Sequence, residues 1–146
     1  MKIIFLDIDG VLNYYGMPDN RLYLIDRRAV ETLNLLIEKT GAKIVISSTW
    51  RLLNSLAMIK SLLIEKGFKG EIVGKTPSIN TNGRIRGDEI QAWLEEHPDV
   101  KEYVILDDDS DMGPLKGRLV KVDGKFGLLT DDVTKAIEIL QKDTEQ

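Results

Sequence analysis

The 146-residue chain has no cysteine and a single histidine, His97. Without cysteine, disulfides, thiol catalysis and cysteine-based zinc sites are excluded. His97 continues the apolar stripe of a predicted helix, which indicates a structural role. The usual serine triads would therefore have no base.

Long apolar runs are also missing. No stretch approaches the roughly 18 apolar residues of a membrane-spanning helix, and the run that opens the chain stops at Asp7, too short for a signal peptide. The net charge of −4 gives no support for a large nucleic-acid-binding surface. We expect a soluble, cytoplasmic protein without a membrane partner.

Short apolar strands alternate with helices along the whole chain. This alternation predicts an α/β fold: a doubly wound, Rossmann-like three-layer sandwich around a mainly parallel sheet. One helix is predicted from Asp26 to Gly41, a second from Ser48 or Thr49 to Gly67, with a stripe that includes Leu52. Strands are predicted at 2–6, 42–47, 71–73, 103–106 and 118–122, and further helices begin at Asp88 and Thr130.

Length and an apolar content of 42% suit one domain, residues 1–146. Within it, 13–23 is predicted to be a small flap and 75–87 a loop or a hairpin turning at Asn82-Gly83. The tail 142–146 is predicted to fray.

Polar side chains follow three of the predicted strands. Asp7 and Asp9 follow the first and Ser47 and Ser48 the second, and Asp107 and Asp108 follow the strand 103–106. Ligands of doubly wound sheets bind outside the carboxyl ends of the strands. We therefore expect these clusters to meet at one edge.

Acids gathered at one edge need a cation. Asp7 and Asp9 are two residues apart, so they point the same way from an extended chain. Two carboxylates about 4 Å apart repel by roughly 4 kcal/mol at an effective dielectric constant near 20. Oxygen ligands and the absence of cysteine favour a hard ion such as Mg²⁺.

Two common motifs fail on inspection. The run DDDSD (107–111) begins like a calcium loop, but Met112 replaces the required glycine and Arg118 the required glutamate. The stretch GKTP (74–77) hints at a phosphate-binding loop, but its first glycine would be Lys69.

Taken together, FLDIDGVLN (5–13), SSTWR (47–51), RGDEI (86–90) and ILDD (105–108) resemble the motifs of the haloacid dehalogenase (HAD) superfamily of phosphatases. The pattern is similar to a small branch found in RNA-repair and polynucleotide-phosphatase proteins. The chain has no room for the sizeable cap domain that many relatives carry.

The resemblance implies a hydrolase of phosphoric monoesters. Asp7 would be the nucleophile that forms an aspartyl-phosphate, and Asp9 the general acid and base. Mg²⁺ would be held by Asp7, the backbone carbonyl of Asp9, and Asp107 or Asp108.

The phosphoryl oxygens would be bound by Ser47, with Ser48 beside it, and by a cation. Arg86 is our choice for that cation because it begins the RGDEI helix. Lys75 and Arg84 stay open as alternatives.

Without a cap, the site should be open and suit a large substrate such as a polynucleotide end. A nucleotide or a phosphoprotein is an alternative, and a homo-oligomer could supply a lid, so a monomer and an oligomer both stay open. Residues that could contact a nucleotide are Tyr14, Tyr15, Arg21 and Arg51, although ordinary packing explains each as well.

The main non-enzyme alternative is a receiver-like signalling module, which also carries an acid pair and a phosphate-accepting aspartate. Receivers place that acceptor after the third strand, whereas EIVGK (71–75) has no aspartate. A phosphate-binding module that has lost turnover is a further alternative.

Overall fold

The computed structural model describes residues 1–17, 24–79 and 81–141, which form five strands and five α-helices. The strands are β1 (Lys2–Leu6), β2 (Lys43–Ile46), β3 (Ile72–Lys75), β4 (Glu102–Asp107) and β5 (Leu119–Lys121). The α-helices are α1 (Arg27–Thr40), α2 (Trp50–Leu53), α3 (Leu56–Glu65), α4 (Arg86–Glu95) and α5 (Thr130–Gln141), and a 3₁₀ helix spans Gly113–Arg118.

The strands form one sheet in the order β3-β2-β1-β4-β5, and every pairing is parallel. The predicted doubly wound α/β fold is thereby confirmed. The chain builds β1, β2 and β3 outward on one side, then crosses through α4 to β4 on the other side of β1. The order therefore reverses between β1 and β4, which is where doubly wound sheets open a ligand crevice.

This order also separates the chain from a receiver domain, whose sheet has the order 2-1-3-4-5. Here β1 lies between β2 and β4, so the acids that follow β1 and β4 are neighbours. The strand order thus argues against the receiver-like alternative.

Successive side chains of β1 face opposite layers of the sandwich. Ile4 and Leu6 pack in one core with apolar residues of α1, α3 and α5. Ile3 and Phe5 pack in a second core with Ile90 and Trp93 of α4. This alternation is what a strand buried on both faces requires.

Aromatic contacts support the α4 side of the sheet. Trp93 meets the fully buried Phe5 edge to face, with ring centroids 5.4 Å apart. The ring of His97 stacks on Trp93 at 3.7 Å, and its Nδ1 lies 2.7 Å from the Trp93 carbonyl oxygen. His97 therefore lies just beyond the end of α4 and packs against Trp93 of that helix, which agrees with the structural role that its place in the apolar stripe indicated.

The prediction of a single helix from Ser48 or Thr49 to Gly67 is wrong, because the structure has two helices in this segment, α2 and α3. Asn54 adopts an extended conformation (φ −133°, ψ 141°), and the Ser55 hydroxyl caps α3 by accepting a hydrogen bond from the backbone N–H of Met58. A serine at this position favours a new helix start. Consequently Leu52 is exposed instead of lying in a continuous stripe.

Smaller differences lie at element boundaries. Helix α4 begins at Arg86, and Asp88 accepts a hydrogen bond from the backbone N–H of Ile85, so Asp88 lies inside the first turn. Strand β3 extends two residues beyond the predicted 71–73. The described residues between β3 and α4 form no hairpin, and Asn82-Gly83 lies in a turn.

Several predictions fall on other parts of the chain. Residues 18–23 of the predicted flap, Arg21 among them, lie outside the described residues, as does the tail 142–146. No helix in the described ranges has the length and apolarity needed to cross a bilayer.

Candidate active site

The acids after β1 and β4 converge at the point where the strand order reverses. Asp7 directly follows β1, and its backbone N–H still bonds to the Leu106 carbonyl oxygen at 3.0 Å. Asp107 ends β4, and Asp108 follows it. Carboxylate oxygens of Asp7, Asp107 and Asp108 all lie within 4.8 Å of one another. Residues 100 positions apart thus form one acidic cluster.

Two of these acids are buried, Asp7 at 5% exposure and Asp107 at 1%. Burial raises the pKa of Asp7 to about 6, with Arg86 opposing the shift and the charge of Asp108 adding to it. Burial and then the charge of Asp7 raise the pKa of Asp107 to about 8, again against Arg86. The cluster therefore strongly favours a bound positive charge.

Arg86 supplies one positive charge to this cluster. Its Nη1 lies 3.0 Å from Asp7 Oδ1 and 3.1 Å from Asp107 Oδ2. Burial lowers the pKa of Arg86, but the charges of Asp107 and Asp7 outweigh burial and raise it. The guanidinium thus stays charged between the two buried carboxylates.

The other two candidate cations do not contact the acidic cluster. Arg84 lies 3.6 Å from Glu89 and donates to the Ile79 carbonyl oxygen. Lys75 is exposed at the end of β3. Of the three, Arg86 is the residue that the structure brings to Asp7.

The start of α4 is held against the loop that follows β4. The backbone N–H of Arg86 donates to Asp111 Oδ2 at 3.1 Å, and that of Gly87 donates to the Asp111 carbonyl oxygen at 3.0 Å. Gly87 lies so close to Met112 that a Cβ at this position would overlap the Met112 carbonyl oxygen. Glycine therefore permits the close approach that places Arg86 over the acids.

Asp9 lies apart from the three-acid cluster and is held by two donors. Asn13 Nδ2 and Trp50 Nε1 each donate to Asp9 Oδ1 at 3.0 Å. Asn13 in turn accepts a hydrogen bond from the backbone N–H of Gly10 at 2.8 Å. Both donors bind the same oxygen, so the orientation of the Asp9 carboxylate is set by residues of two separate segments.

Asn13 and Trp50 were not predicted as site residues, although they lie within the motifs FLDIDGVLN and SSTWR. A useful signal was their chemistry: a side-chain amide and an indole N–H can donate to a carboxylate. Their partner, however, depends on how β2 lies beside β1.

Ser47 follows β2, and its backbone N–H bonds to the Leu6 carbonyl oxygen at 3.0 Å. It is fully buried, and its hydroxyl oxygen has no hydrogen-bond partner among the described residues. A buried unpaired hydroxyl is costly unless a ligand satisfies it. The hydroxyl of Ser48 instead accepts a hydrogen bond from the backbone N–H of Trp50 at 3.2 Å.

Arg51 is a structural residue here, not a free cation. Its side chain is 2% exposed and lies 3.0 Å from Glu89 Oε1. It also donates to the carbonyl oxygens of Ser48, Thr76 and Pro77 at 2.9, 2.9 and 3.2 Å. Arg51 thus ties the end of β2 to the segment after β3 and to α4.

Asp108 receives a hydrogen bond from the hydroxyl of Tyr15 at Oδ2. This bond raises the pKa of Tyr15 well above its ordinary value. Gly10, at φ +82°, lies so close that a Cβ there would overlap the Asp108 carboxylate. Tyr15 and Gly10 together fix Asp108 beside the turn that follows β1.

The fold and the site together indicate the class of protein to which this chain belongs. A parallel doubly wound sheet presents clustered carboxylates, an arginine and a serine hydroxyl without a partner among the described residues at its switch point, an arrangement that can serve phosphoryl-transfer chemistry with a divalent ion. The model of the family described as "HAD domain in Swiss Army Knife RNA repair proteins" matches residues 3–133, and the chain belongs to this family.

Membership of a HAD family supports a hydrolase of the phosphatase type, and such proteins usually use a divalent metal. Searches of curated proteins and of solved structures gave no significant match.

Proposed function

We propose that this protein is a Mg²⁺-dependent phosphatase that hydrolyses a phosphomonoester through an aspartyl-phosphate on Asp7. The observation that carries the proposal is the convergence of Asp7, Asp107 and Asp108 within 4.8 Å, with Arg86 contacting two of them. Nucleophile, cation ligands and phosphate-binding charge would then lie at one edge of the sheet.

The acidic cluster fits a hard divalent cation. Its donors are carboxylate oxygens, which Mg²⁺ prefers, and two of them are buried with raised pKa values. Asp7 and Asp107 or Asp108 would hold the ion, together with the backbone carbonyl of Asp9. When bound, it would neutralise charge on the phosphoryl group and on Asp7.

In the first step, a carboxylate oxygen of Asp7 would attack phosphorus while the bond to the leaving oxygen breaks. Asp9 would give its proton to that oxygen. Because Oδ1 of Asp9 accepts from Asn13 and Trp50, we assign the proton to Oδ2. In the second step, Asp9 would take a proton from water, whose oxygen attacks the aspartyl-phosphate and releases phosphate and free Asp7.

Arg86 and Ser47 would bind the phosphoryl oxygens. Arg86 already lies beside Asp7, and an incoming phosphate would compete with the two carboxylates for its N–H groups. The Ser47 hydroxyl, which has no partner among the described residues, would gain one. Ser48 would bind the phosphoryl group less directly, since its hydroxyl already accepts a hydrogen bond from the backbone N–H of Trp50.

A site without a cap domain suits a large substrate such as a polynucleotide end. Between Ser47 and Arg86 the described residues form only α2, α3 and β3, and this part of the described chain contributes no cap domain. A nucleotidase or a phosphoprotein phosphatase would use the same chemistry.

The test is substitution of the nucleophile. Asp7→Asn should abolish Mg²⁺-dependent hydrolysis of an aryl phosphate, and quenched wild-type protein should carry a phosphoryl group on Asp7 by mass spectrometry. Asp9→Asn should slow both formation and breakdown of that adduct. Asp99→Asn, an exposed acid in the loop before β4, is the control. Full turnover by Asp7→Asn would contradict the proposal.

A further inference from the structure

A cleft of about 660 Å³ opens beside Asp9. This volume lies within the roughly 300–1,000 Å³ range of small-molecule sites. Its walls come from the turn after β1 and from the α2–α3 region. The lining residues are Asp9, Tyr15, Thr49, Trp50, Leu53, Asn54 and Leu62.

Asp9 and Trp50 connect the cleft to the proposed reaction site. Asp9 lines the cleft and would protonate the leaving oxygen. The leaving group attached to that oxygen would therefore extend from the phosphate into the cleft. Trp50 also lines the cleft while its indole N–H holds Asp9 Oδ1 at 3.0 Å. The leaving group and the proton donor thus share one wall.

The lining surface is mostly aromatic and aliphatic. Tyr15 is 50% exposed and Leu53 is 89% exposed. A ligand that covers these side chains would gain favourable free energy from burying their apolar surface. Thr49 and Asn54 add polar groups that can meet hydrogen-bonding edges. Asp9 is the one charged residue of the described lining, which contains no lysine or arginine.

This chemistry separates the candidate leaving groups. A second phosphate or an acidic peptide flank would meet no positive charge among the described lining residues, and a bare sugar would leave the apolar walls uncovered. A flat ring with polar edges can stack on aromatic side chains and cover Leu53. A nucleobase has these properties.

On the basis of the proposed phosphatase activity, we infer that the cleft beside Asp9 binds the base of a nucleoside whose phosphate is placed at Asp7. Tyr15, Trp50 and Leu53 are then specificity-determining residues, and the substrate is a nucleoside phosphate. The nucleoside is either a free nucleotide or the terminal residue of a strand.

The experiment compares substrates that differ only in the base. Values of kcat/KM are measured for a nucleoside monophosphate, for the matching ribose phosphate, for an end-phosphorylated oligonucleotide and for a phosphoserine peptide. We expect the nucleoside phosphate to exceed the ribose phosphate by roughly tenfold or more, the size of a stacking contribution. The ratio of kcat/KM for the oligonucleotide to kcat/KM for the mononucleotide then shows whether the nucleoside belongs to the end of a strand or to a free nucleotide.

Leu53→Ala should lower the preference for the base several-fold. The matched control is Leu35→Ala, an exposed leucine of α1 outside the cleft lining, which should keep the preference. Mg²⁺-dependent hydrolysis with equal rates on nucleoside and ribose phosphates would overturn the inference and leave the proposed phosphatase standing.

If no phosphomonoester is hydrolysed, binding decides the inference separately. Addition of the nucleoside monophosphate should shift the indole N–H signal of Trp50 in an NMR spectrum, assigned with Trp50→Phe, more than ribose phosphate does, because both ligands would reach Asp9, to which the indole N–H donates, but only the nucleoside carries a base. Equal responses to the two ligands, or none to either, would refute the nucleobase cleft.

Discussion

At the scale of single residues, the orientation of Asp9 depends on hydrogen bonds from Asn13 and Trp50 to one oxygen. A hydrogen bond to a charged group contributes about 1.5–3 kcal/mol. Part of that energy would be lost from the transition state if either donor were removed. Trp50 is the better target because phenylalanine keeps an aromatic ring at this position while removing the N–H.

We predict that Trp50→Phe lowers kcat by roughly tenfold with a smaller change in KM, because the proton donor is no longer held in place. Steady-state kinetics on an aryl phosphate measures this split. Leu52→Ala, an exposed residue of the same short helix, is the control. The same loss in an Asp9→Asn background would show that Trp50 does not act through Asp9.

At the scale of elements, the close approach of α4 to the loop after β4 positions Arg86. Two competing effects meet at Gly87. Alanine is favoured over glycine by up to about 1 kcal/mol within a helix, an advantage that is smaller at Gly87 because it lies in the first turn of α4, and a Cβ there would overlap the Met112 carbonyl oxygen. Overpacking against backbone costs about 1–3 kcal/mol, so the clash should decide the sign.

Gly87→Ala should therefore lower the free energy of unfolding by about 1–2 kcal/mol. It should also reduce activity, because α4 must move and carry Arg86 away from the acids. Urea denaturation and kinetics measure the two effects. Gly117→Ala is the matched control, since a Cβ at Gly117 meets nothing within 4 Å. An unchanged stability for Gly87→Ala would mean that this contact is looser than the structure shows.

At the scale of the whole molecule, the fold gathers buried acids from two strands around Arg86. Each has a pKa raised above 3.8, to about 6 for Asp7 and about 8 for Asp107. Between pH 4 and pH 8 the folded state therefore binds more protons than the unfolded state does. By linkage, the contribution of these groups to stability is full below pH 4 and is lost as pH rises through the raised pKa values.

We predict that the metal-free protein loses this contribution as pH rises from about 4 to 8, by at most about 1.4 kcal/mol per pH unit for each group. Added Mg²⁺ should stabilise the protein more at pH 8 than at pH 5, because deprotonated acids bind it. Urea denaturation at several pH values measures both effects. Asp107→Asn should flatten the dependence, and an equally steep dependence in that variant would contradict the assignment.

Prediction from sequence succeeded where the signal was local. The apolar runs and the residues at their ends located all five strands to within two residues, and Asp26 and Gly41 bounded α1. The split between α2 and α3 was missed because the apolar stripe continued past Ser55, whose capping of Met58 interrupts the helix. In that segment a local hydrogen bond outweighed periodicity.

The candidate site was predictable in its acids but not in the contacts around them. Asp7, Asp107 and Asp108 could be named because parallel strands end at a common edge. The sequence favoured Arg86 but left Arg84 open, and only the position of α4 shows that Arg86 contacts Asp7 while Arg84 contacts Glu89. The assignment of Trp50 to Asp9 and of Arg51 to Glu89 likewise depends on contacts between distant segments.

The sequence by itself determined the alternation of buried strands and helices, and with it a parallel sheet whose polar strand ends share one edge. These properties follow from side-chain periodicity and from burial, which act over a few residues. Only the tertiary structure decided that β1 and β4 are neighbours, that Arg86 contacts Asp7, and that a cleft opens beside Asp9. Strand order and loop conformation depend on packing between residues far apart in the chain, and local patterns do not encode that packing.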